Sequence, residues 1–500
     1  MGKKLSSLLD HYPLEKVLGA MEKDVTSLAY DSRKVKEGSL FAAIPGMKHD
    51  GDQFIPEALA RKAHAFITQA PAEKFLELSA ARKDATAINV KDARHAMAWI
   101  AAEFYSHPSK NINLVGITGT NGKTTLSYIL ESIYRQGGDK CGVIGTINCR
   151  YDGKVFSARM TTPEPVDINR MLDEMNKHAV GHCFLEVSSH SLQLKRVREL
   201  RFAVGAFTNF TRDHLDFHGD MDSYKDAKKS FFNDCFMEKQ ALNIDDPIAR
   251  EIMRETTRET MTSGIDTAAD VMAENCRLSK DGVQFTLKTP SGTQEISSPL
   301  LGRHNIYNLL SASAVALLQG LPLDQVRRGA ESIKSVPGRF ESIDMGQDFT
   351  VAVDYAHTGD ALENALRAAK SFSPENIIVV FGCGGDRDRG KRADMGRAAT
   401  AMSDFAVITN DNPRTEDPGQ IIADILKGIP ASAKAEKKYT VIPDREEAIQ
   451  TAIDKARAGS LVLIAGKGHE DYQLLNAGSI HFDDREVAGK ALRKRLQSHE

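Results

Sequence analysis

The chain has 500 residues, 41% of them hydrophobic, with 65 lysines and arginines against 68 acids and a formal charge of -3. That is apolar material for about three domains, and the interspersed charge excludes both the basic footprint of a nucleic-acid binder and a polybasic membrane patch. No stretch approaches a membrane span, the start Met1-Gly-Lys-Lys-Leu-Ser-Ser lacks an apolar core of signal length, and the six cysteines form no C-x-x-C pair; a cytoplasmic protein in a reducing compartment, without structural zinc or membrane insertion, is expected.

Up to about Pro108 the pattern is mixed, with a strand at Ser39 to Ile44 and a helix at Ala93 to Tyr105, and residues 1–108 read as a first domain. From Asn111 short β-branched runs alternate with amphipathic stretches: Ile112 to Thr118, Thr124 to Arg135, Cys141 to Thr146, Val166 to His178, Cys183 to Val187 and Val204 to Thr208. This βα alternation predicts a mainly parallel sheet covered by helices. A β-rich interlude, Arg277 to Pro299, precedes a helix from Tyr307 to Leu318 and closes a second domain, residues 109–336. After Pro337-Gly338 the alternation restarts, with strands expected at Val351 to Asp354, Ile377 to Phe381, Phe405 to Thr409 and Leu461 to Ala465, giving a third domain over 337–500. The fold class is α/β.

The run Gly116-Ile-Thr-Gly-Thr-Asn-Gly-Lys-Thr-Thr125 lies between a strand and a helix. Its glycines let backbone N–H groups turn toward an anion, Lys123 brings a charge to the β/γ-phosphates, and a hydroxyl of Thr124 or Thr125 can hold Mg²⁺ at the helix N-terminus. The usual spacing of such loops asks for glycine at 117 and finds Ile117. ATP or GTP is the expected occupant. Glu186-Val-Ser-Ser-His190 ends the run Cys183 to Val187, and Asn209 to Gly219 packs Asp213, His214, Asp216 and His218 into one loop. Polar residues beyond the carboxyl ends of strands are placed for ligands; Glu186 also reads as a hydrogen-bonded carboxylate, and the histidine loop as residues capping one another.

Six segments in fixed order, Gly119-Thr-Asn-Gly-Lys-Thr124, Glu186-Val-Ser-Ser-His190, Thr208-Asn-Phe-Thr-Arg-Asp-His-Leu-Asp216, Gly302-Arg-His-Asn-Ile-Tyr-Asn308, Pro337-Gly-Arg-Phe-Glu341 and Asp354-Tyr-Ala-His-Thr358, closely resemble those of the Mur ligases, ATP-dependent amide-forming enzymes of peptidoglycan precursor synthesis. The resemblance implies an N-terminal domain for the UDP end of the substrate, a central P-loop-type ATPase domain and a Rossmann-like C-terminal domain. ATP and Mg²⁺ are implied as well. Gly119, Thr120, Asn121, Gly122, Lys123, Thr124 and Thr125 match the ATP loop, Asn305 and Arg339 match positions near the adenine and phosphates, and Asp354 matches one near the ribose. Thr124, Glu186, His214 and Lys228 match the magnesium-binding and catalytic positions, the lysine as its carbamate, because a bare ammonium repels Mg²⁺ whereas carbamate oxygens suit it. Ser32, Met47, Lys48 and His49 match contacts to the uridine end, and Thr161, Thr162, Ser188 and Arg196 contacts to the muramoyl-peptide. Leu194 and Gly359 stand where family members usually carry glutamine and proline.

The tetrad Asp411-Asn-Pro-Arg414 resembles the signature of the members that add meso-diaminopimelate, and Arg387, Gly466 and Glu470 match further contacts to that amino acid. Chemically this is coherent: a zwitterionic end asks for a planar cationic fork and an acidic or carbonyl acceptor. On this reading Arg414 is buried and lysine, lacking a distal carboxylate, leaves it unpaired. The expected partners are small molecules, UDP-N-acetylmuramoyl-L-alanyl-D-glutamate and meso-diaminopimelate, handled by a monomer. A lysine-adding ligase, a folylpolyglutamate-synthetase-type ligase and a catalytically silent nucleotide-binding partner are the alternatives.

Overall fold

A computed structural model describes residues 2–46, 50–80, 84–158, 160–279 and 281–497. Three sheets organise these residues. The first has strands β1 (Lys16–Leu18), β2 (Ser27–Ala29), β3 (Ser39–Ala42), β4 (Ala65–Thr68) and β5 (Thr86–Asn89) in the order β1-β5-β4-β3-β2, with only the β1–β5 pair antiparallel. Helix α1 (Ala93–Phe104) starts on an Asp92 cap that accepts from the His95 N–H at 2.9 Å, and buries Ala93, Ala96, Met97, Ile100 and Ala101 in this sheet's core.

The central sheet is larger. It contains β6 (Asn113–Thr118), β7 (Cys141–Ile144), β8 (Asn148–Tyr151), β9 (Lys154–Ser157), β10 (His182–Glu186), β11 (Arg201–Phe207), β12 (Phe236–Asn243), β13 (Glu259–Gly264), β14 (Val271–Ser279), β15 (Gly282–Thr289) and β16 (Gly292–Ser298). Their order is β9-β8-β7-β10-β6-β11-β12-β13-β14-β15-β16. From β7 to β14 every pair is parallel, and antiparallel hairpins extend both edges. Parallel strands covered on both faces read as continuous apolar runs. Accordingly Leu114 of β6 enters one core with Leu185 and Phe231, while Val115 and Ile117 enter the opposite one with Leu126, Ile129, Leu130 and Leu310. Ile117 is therefore a core residue of the strand, and the phosphate loop proper begins two residues later.

Helix α2 (Lys123–Arg135) follows β6, α3 (Pro165–Lys177) precedes β10, and α4 (Met221–Asp234) precedes β12. Helix α5 (Arg303–Leu318) is apolar nearly all round because it packs both on its neighbour α2 and on β12, β13 and β14, while α2 itself lies directly against β7 and β10. The third sheet comprises β17 (Glu341–Ser342), β18 (Thr350–Asp354), β19 (Ile377–Phe381), β20 (Phe405–Ile408), β21 (Tyr439–Val441) and β22 (Leu461–Ala465), ordered β17-β18-β22-β19-β20-β21 and parallel apart from β17–β18. Helix α6 (Gly390–Met402) lies between β19 and β20, α7 (Arg445–Lys455) between β21 and β22, and α8 (Asp484–Gln497) ends the described chain. Among the described residues no helix is long and apolar enough to cross a membrane.

Candidate active site

Strand β6 sits between β10 and β11, the point in the sheet where a crevice opens beyond the carboxyl ends of the strands. The loop that follows it turns on two glycines. Gly119 has φ +142° and a Cβ there would lie 1.9 Å from Thr208 Oγ1; Gly122, the residue before α2, has φ +88° and a Cβ would lie 2.4 Å from Asn308 Oδ1. Neither position accepts a side chain. The loop is fixed to the end of β11: Thr120 N–H donates to Asn209 O at 2.8 Å, Asn121 N–H to Asn209 Oδ1 at 2.9 Å, and the Thr208 hydroxyl to Asn121 O at 2.6 Å. Lys123 folds across it, donating to the carbonyls of Gly119 and Thr120 at 2.8 and 2.9 Å. Burial lowers its pKa from the ordinary lysine value.

Glu186 ends β10 in register with Ile117 and is 1% exposed. Its carboxylate accepts the hydroxyls of Thr124 at 3.0 Å and Thr146 at 2.8 Å and the Thr146 N–H at 3.0 Å. Gly145 allows this approach, since a Cβ there would stand 2.3 Å from Glu186 Oε1. Helix α4 is capped by Asp220, which accepts from the Ser223 N–H at 2.8 Å, and turns Tyr224, Lys228, Phe231 and Phe232 inward at helical spacing. Lys228 is thus on the apolar stripe, 1% exposed, with Nζ 4.8 Å from the centre of the Tyr224 ring. Burial first, and Lys123 next, push its pKa well below the usual lysine value. Its neighbour Lys229 faces the other way and pairs with Glu251 and Glu255 at 3.3 and 2.6 Å.

His214 has left-handed backbone (φ 54°), its N–H bonded to Asp213 Oδ1 at 2.8 Å, and its ring edge-on to His190 at 4.9 Å between centroids. Burial lowers its pKa, which keeps the imidazole neutral and a lone pair free. His190 stacks on Phe217, with centroids 4.0 Å apart. Among the described residues no group of three or more His, Cys, Asp or Glu forms a metal cage. The oxygen pair of Glu186 and Thr124 nevertheless suits Mg²⁺, which is commonly held by one or two protein oxygens plus phosphate and water. A polar atom left over suits a bound polyphosphate: Arg339 Nε is buried without a partner, while its Nη2 donates to Thr124 Oγ1 at 3.3 Å and its guanidinium lies 4.8 Å from the centre of the Tyr355 ring.

The other sequence-predicted residues fall into groups. Thr125 is buried in the first turn of α2. Asn305 is buried with its amide donating to Leu301 O at 2.8 Å and its oxygen accepting from Asn308 at 2.9 Å; it backs the loop through Asn308 rather than offering a free group to a base. Asp354, at the end of β18, accepts from the N–H groups of Phe340 and Ala356, both at 2.8 Å, which ties the Arg339 turn to the third sheet. Thr161 and Thr162 adjoin the acid, with Thr161 Oγ1 3.1 Å from Thr146 Oγ1 and the Thr162 hydroxyl donating to Glu186 O at 2.8 Å. Ser188 N–H donates to Thr162 Oγ1 at 3.0 Å, and Arg196 donates to Thr162 O at 2.9 Å while pairing with Glu164 at 2.7 Å. Ser32 stands on the first sheet's unit, bonded to Glu57 at 2.6 Å. Met47, Lys48 and His49 lie outside the described residues.

At the carboxyl edge of the third sheet, the loops after β18, β19, β20 and β22 converge. Asn412 donates to Glu470 Oε2 at 2.8 Å, Lys467 reaches Asn412 Oδ1 at 3.2 Å and Glu470 at 3.3 Å, and the Gly466 N–H donates to Asp354 O at 3.1 Å. Asp411 and Pro413 are buried in the same loop. Arg414 (φ 54°) donates to Gly385 O at 2.8 Å, and Arg387 is exposed, donating to Asp386 O at 3.1 Å. Arg414 is half-buried, not buried as the sequence reading has it: the hairpin Tyr472–Leu475/Gly478–His481 covers only its backbone side, where Arg414 N–H donates to Leu474 O at 3.0 Å. Thr146, Lys467 and the fully buried Arg445 were not anticipated. Arg445 pairs with Asp484 at 2.7 Å and donates to Asn410 O and Ala465 O at 3.3 and 3.0 Å, joining the ends of β20 and β22. Lys467 lies inside the segment Gly466-Lys-Gly-His-Glu470 without being singled out by it, and no motif marks Thr146 or Arg445.

A phosphate loop with a buried acid and a buried lysine beside it on one sheet, and a cluster of cationic and acidic side chains beyond the strands of another, is an arrangement that suits an ATP-driven ligase. The chain belongs to the Mur ligase family: residues 24–105 match the Mur ligase family catalytic domain, 117–316 the Mur ligase middle domain and 338–468 the Mur ligase glutamate ligase domain. It is accordingly an ATP- and Mg²⁺-dependent, amide-forming enzyme. It is 45% identical over 496 residues to the UDP-N-acetylmuramoyl-L-alanyl-D-glutamate--2,6-diaminopimelate ligase of Solibacter usitatus, covering 99% of this chain and 98% of that one. The protein of the same name from Geobacillus kaustophilus is 42% identical, over 98% of this chain and all of its own. A solved structure of a ligase of that name superposes with a TM-score of 0.70 at 29% identity, covering 99% and 100% of the two chains.

Proposed function

We propose that this enzyme joins meso-diaminopimelate to UDP-N-acetylmuramoyl-L-alanyl-D-glutamate, with ATP cleaved to ADP and phosphate, in peptidoglycan precursor synthesis. The observation that carries the reading is the convergence of Asn412, Arg414, Lys467 and Glu470 beyond the third sheet, a pocket with both cationic donors and an acidic acceptor. A carboxylate is a poor electrophile because its leaving group would be oxide. The γ-phosphoryl group therefore passes first to the D-glutamyl carboxylate, giving an acyl phosphate and ADP; the amine then attacks the acyl carbon, the C–O bond breaks and phosphate departs.

For the first step the protein positions and neutralises. Lys123 leaves its own loop carbonyls for the phosphoryl oxygens, the loop N–H groups hold the phosphates, and Arg339 adds its unpaired Nε. Glu186 with Thr124, and His214 with Lys228 as its carbamate, are the groups that would hold magnesium, which supplies charge neutralisation at the phosphates. Thr161, Thr162, Ser188 and Arg196 hold the muramoyl-peptide beside Glu186, and Ser32 with Met47, Lys48 and His49 hold the uridine end. Asp354 serves the ribose end of ATP. In the third domain Arg387, Asp411, Asn412, Pro413, Arg414, Gly466 and Glu470 take the amino acid. The reaction is assigned to the cytoplasm and to a monomer acting on small molecules, in keeping with the scattered cysteines and balanced charge.

A silent nucleotide-binding role is disfavoured by the burial of Glu186 and Lys228 around the loop, because both are costly to bury without a task. A folylpolyglutamate-type ligase is disfavoured by the N-terminal family match over 24–105. The lysine alternative turns on Arg414. Since that guanidinium is half-buried and one nitrogen is already held by Gly385 O, losing its carboxylate partner should cost about 2–4 kcal/mol, roughly 30- to 1,000-fold, the lower part of the range for a paired charge. The parent enzyme should prefer meso-diaminopimelate by about that factor in kcat/KM, and Arg414→Ala should lose most of the preference. Equal use of lysine by the parent would overturn the specificity assignment and leave the ligase chemistry standing.

A further inference from the structure

Behind the amino-acid pocket lies a second polar cluster that makes no direct part of it. Arg392, on α6, is 0% exposed, and its Nη1 donates to Glu416 Oε2 and Asp424 Oδ2, both at 3.1 Å. Its Nη2 donates to Glu416 Oε1 at 2.9 Å and Gly384 O at 3.4 Å, and its Nε is buried without a partner. Glu416 Oε1 also accepts the Asp386 N–H at 2.6 Å, and Asp386 in turn accepts the Thr415 hydroxyl at 2.9 Å and its N–H at 3.3 Å. The network thus runs back and forth between two loops, 382–387 after β19 and 411–416 after β20. Those loops carry Arg387 and Arg414. They touch at backbone distance: a Cβ on Gly385 would lie 2.0 Å from Pro413 O.

A buried arginine with two carboxylates gives little net stability relative to well-packed apolar side chains. Packing alone is therefore a weak reason for placing one here. What the pair does geometrically is fix the spacing of two loops whose own residues have left-handed backbone at Asp386 and Arg414, a conformation that non-glycine residues hold only when their surroundings enforce it. We propose that Arg392 and Glu416 are positioning residues for the amino-acid substrate, holding the Arg387 and Arg414 loops in one relation and so setting the discrimination between substrates with and without a distal carboxylate. The claim rests on the assignment of those loops to the amino acid. A site loosened at its supports loses affinity and selectivity without losing the phosphoryl-transfer groups, which stand on another sheet.

The test is steady-state kinetics of the full-length enzyme with Glu416→Gln, Thr415→Val and Asp424→Asn, each also followed by thermal unfolding. Glu416→Gln should raise KM for meso-diaminopimelate about tenfold or more, change kcat by no more than about twofold, leave KM for ATP and the UDP-dipeptide in place, and cut the preference over lysine about tenfold. Thr415→Val should move the same quantities in the same direction by a smaller factor, and decides the matter if Glu416→Gln does not fold. Asp424→Asn, whose bonds run to Arg392, Gln420 and Lys427 rather than to either loop, should lower the unfolding temperature with little change in KM. A lowered unfolding temperature with unchanged amino-acid KM in both loop variants, or a fall in kcat alone, overturns the proposal. If the parent enzyme uses lysine and meso-diaminopimelate equally, the functional reading fails instead, and the KM for either amino acid still decides the positioning role.

Discussion

Lys228→Ala should lower turnover by about 10²- to 10³-fold, the scale on which removal of one preorganised electrostatic group acts, and a short carboxylic acid added to the assay should restore part of it. The structural ground is the position of Lys228: on the apolar stripe of α4, 1% exposed and over the Tyr224 ring, with Lys123, His214 and the Asp213 carboxylate around it but in no ion pair among the described residues. A permanent ammonium there is poorly solvated and repels both a neighbouring lysine and any divalent cation. Its carbamate reverses the charge and supplies two oxygens. An exogenous carboxylate can occupy the space the side chain vacates and offer the same atoms. An alanine variant as active as the parent, or one impaired but indifferent to formate and acetate, would remove the carbamate from the account.

Lys123→Ala should reduce phosphate release by about 10³-fold or more while the affinity for the UDP-dipeptide stays within about twofold, as calorimetry would measure it. Two consequences of the geometry combine. The variant loses the charge that reaches the transferring phosphoryl group, and before ATP binds it frees the Gly119 and Thr120 carbonyls that Lys123 holds at 2.8 and 2.9 Å, so the empty loop loses its brace as well. The uridine end is assigned to Ser32 and its neighbours on the first sheet, whose core is formed by residues separate from those around the loop. Equal loss of dipeptide binding and phosphate release would show that the two sites are not independent.

How far these arguments could be read from the sequence depended on whether the deciding contacts are local. Strands at Ile377–Phe381 and Leu461–Ala465 are where the apolar runs place them, because a strand buried on both faces of a parallel sheet is a continuous apolar word. The edge strand Tyr439–Val441 was missed, being short, half-buried and preceded by two lysines. The hairpin Tyr472–Leu475/Gly478–His481 was missed for a different reason: its exposed, mixed pattern has no clean alternation, and its relevance comes from Leu474 pairing with Arg414 and Asn412, about sixty residues away in sequence. In the site, Lys123, Thr124 and Glu186 were legible because a glycine loop and a strand-ending acid have a mechanism attached to their spacing. Thr146, Lys467 and Arg445 were not, since each gains its role from a partner on a different strand or helix. The exposure of Arg414 was misjudged because a motif specifies residue types and says nothing of what covers them.

The central claim, an amide ligase that couples ATP to the capture of meso-diaminopimelate by a UDP-linked dipeptide, is tested most directly by phosphate release from the parent enzyme with each substrate omitted in turn and with lysine in place of meso-diaminopimelate. Full-rate release should require ATP, Mg²⁺, UDP-N-acetylmuramoyl-L-alanyl-D-glutamate and meso-diaminopimelate together, and lysine should sustain only a small fraction of it at equal concentration. Rapid release without the UDP-dipeptide, or release driven as well by lysine or glutamate as by meso-diaminopimelate, would contradict the account.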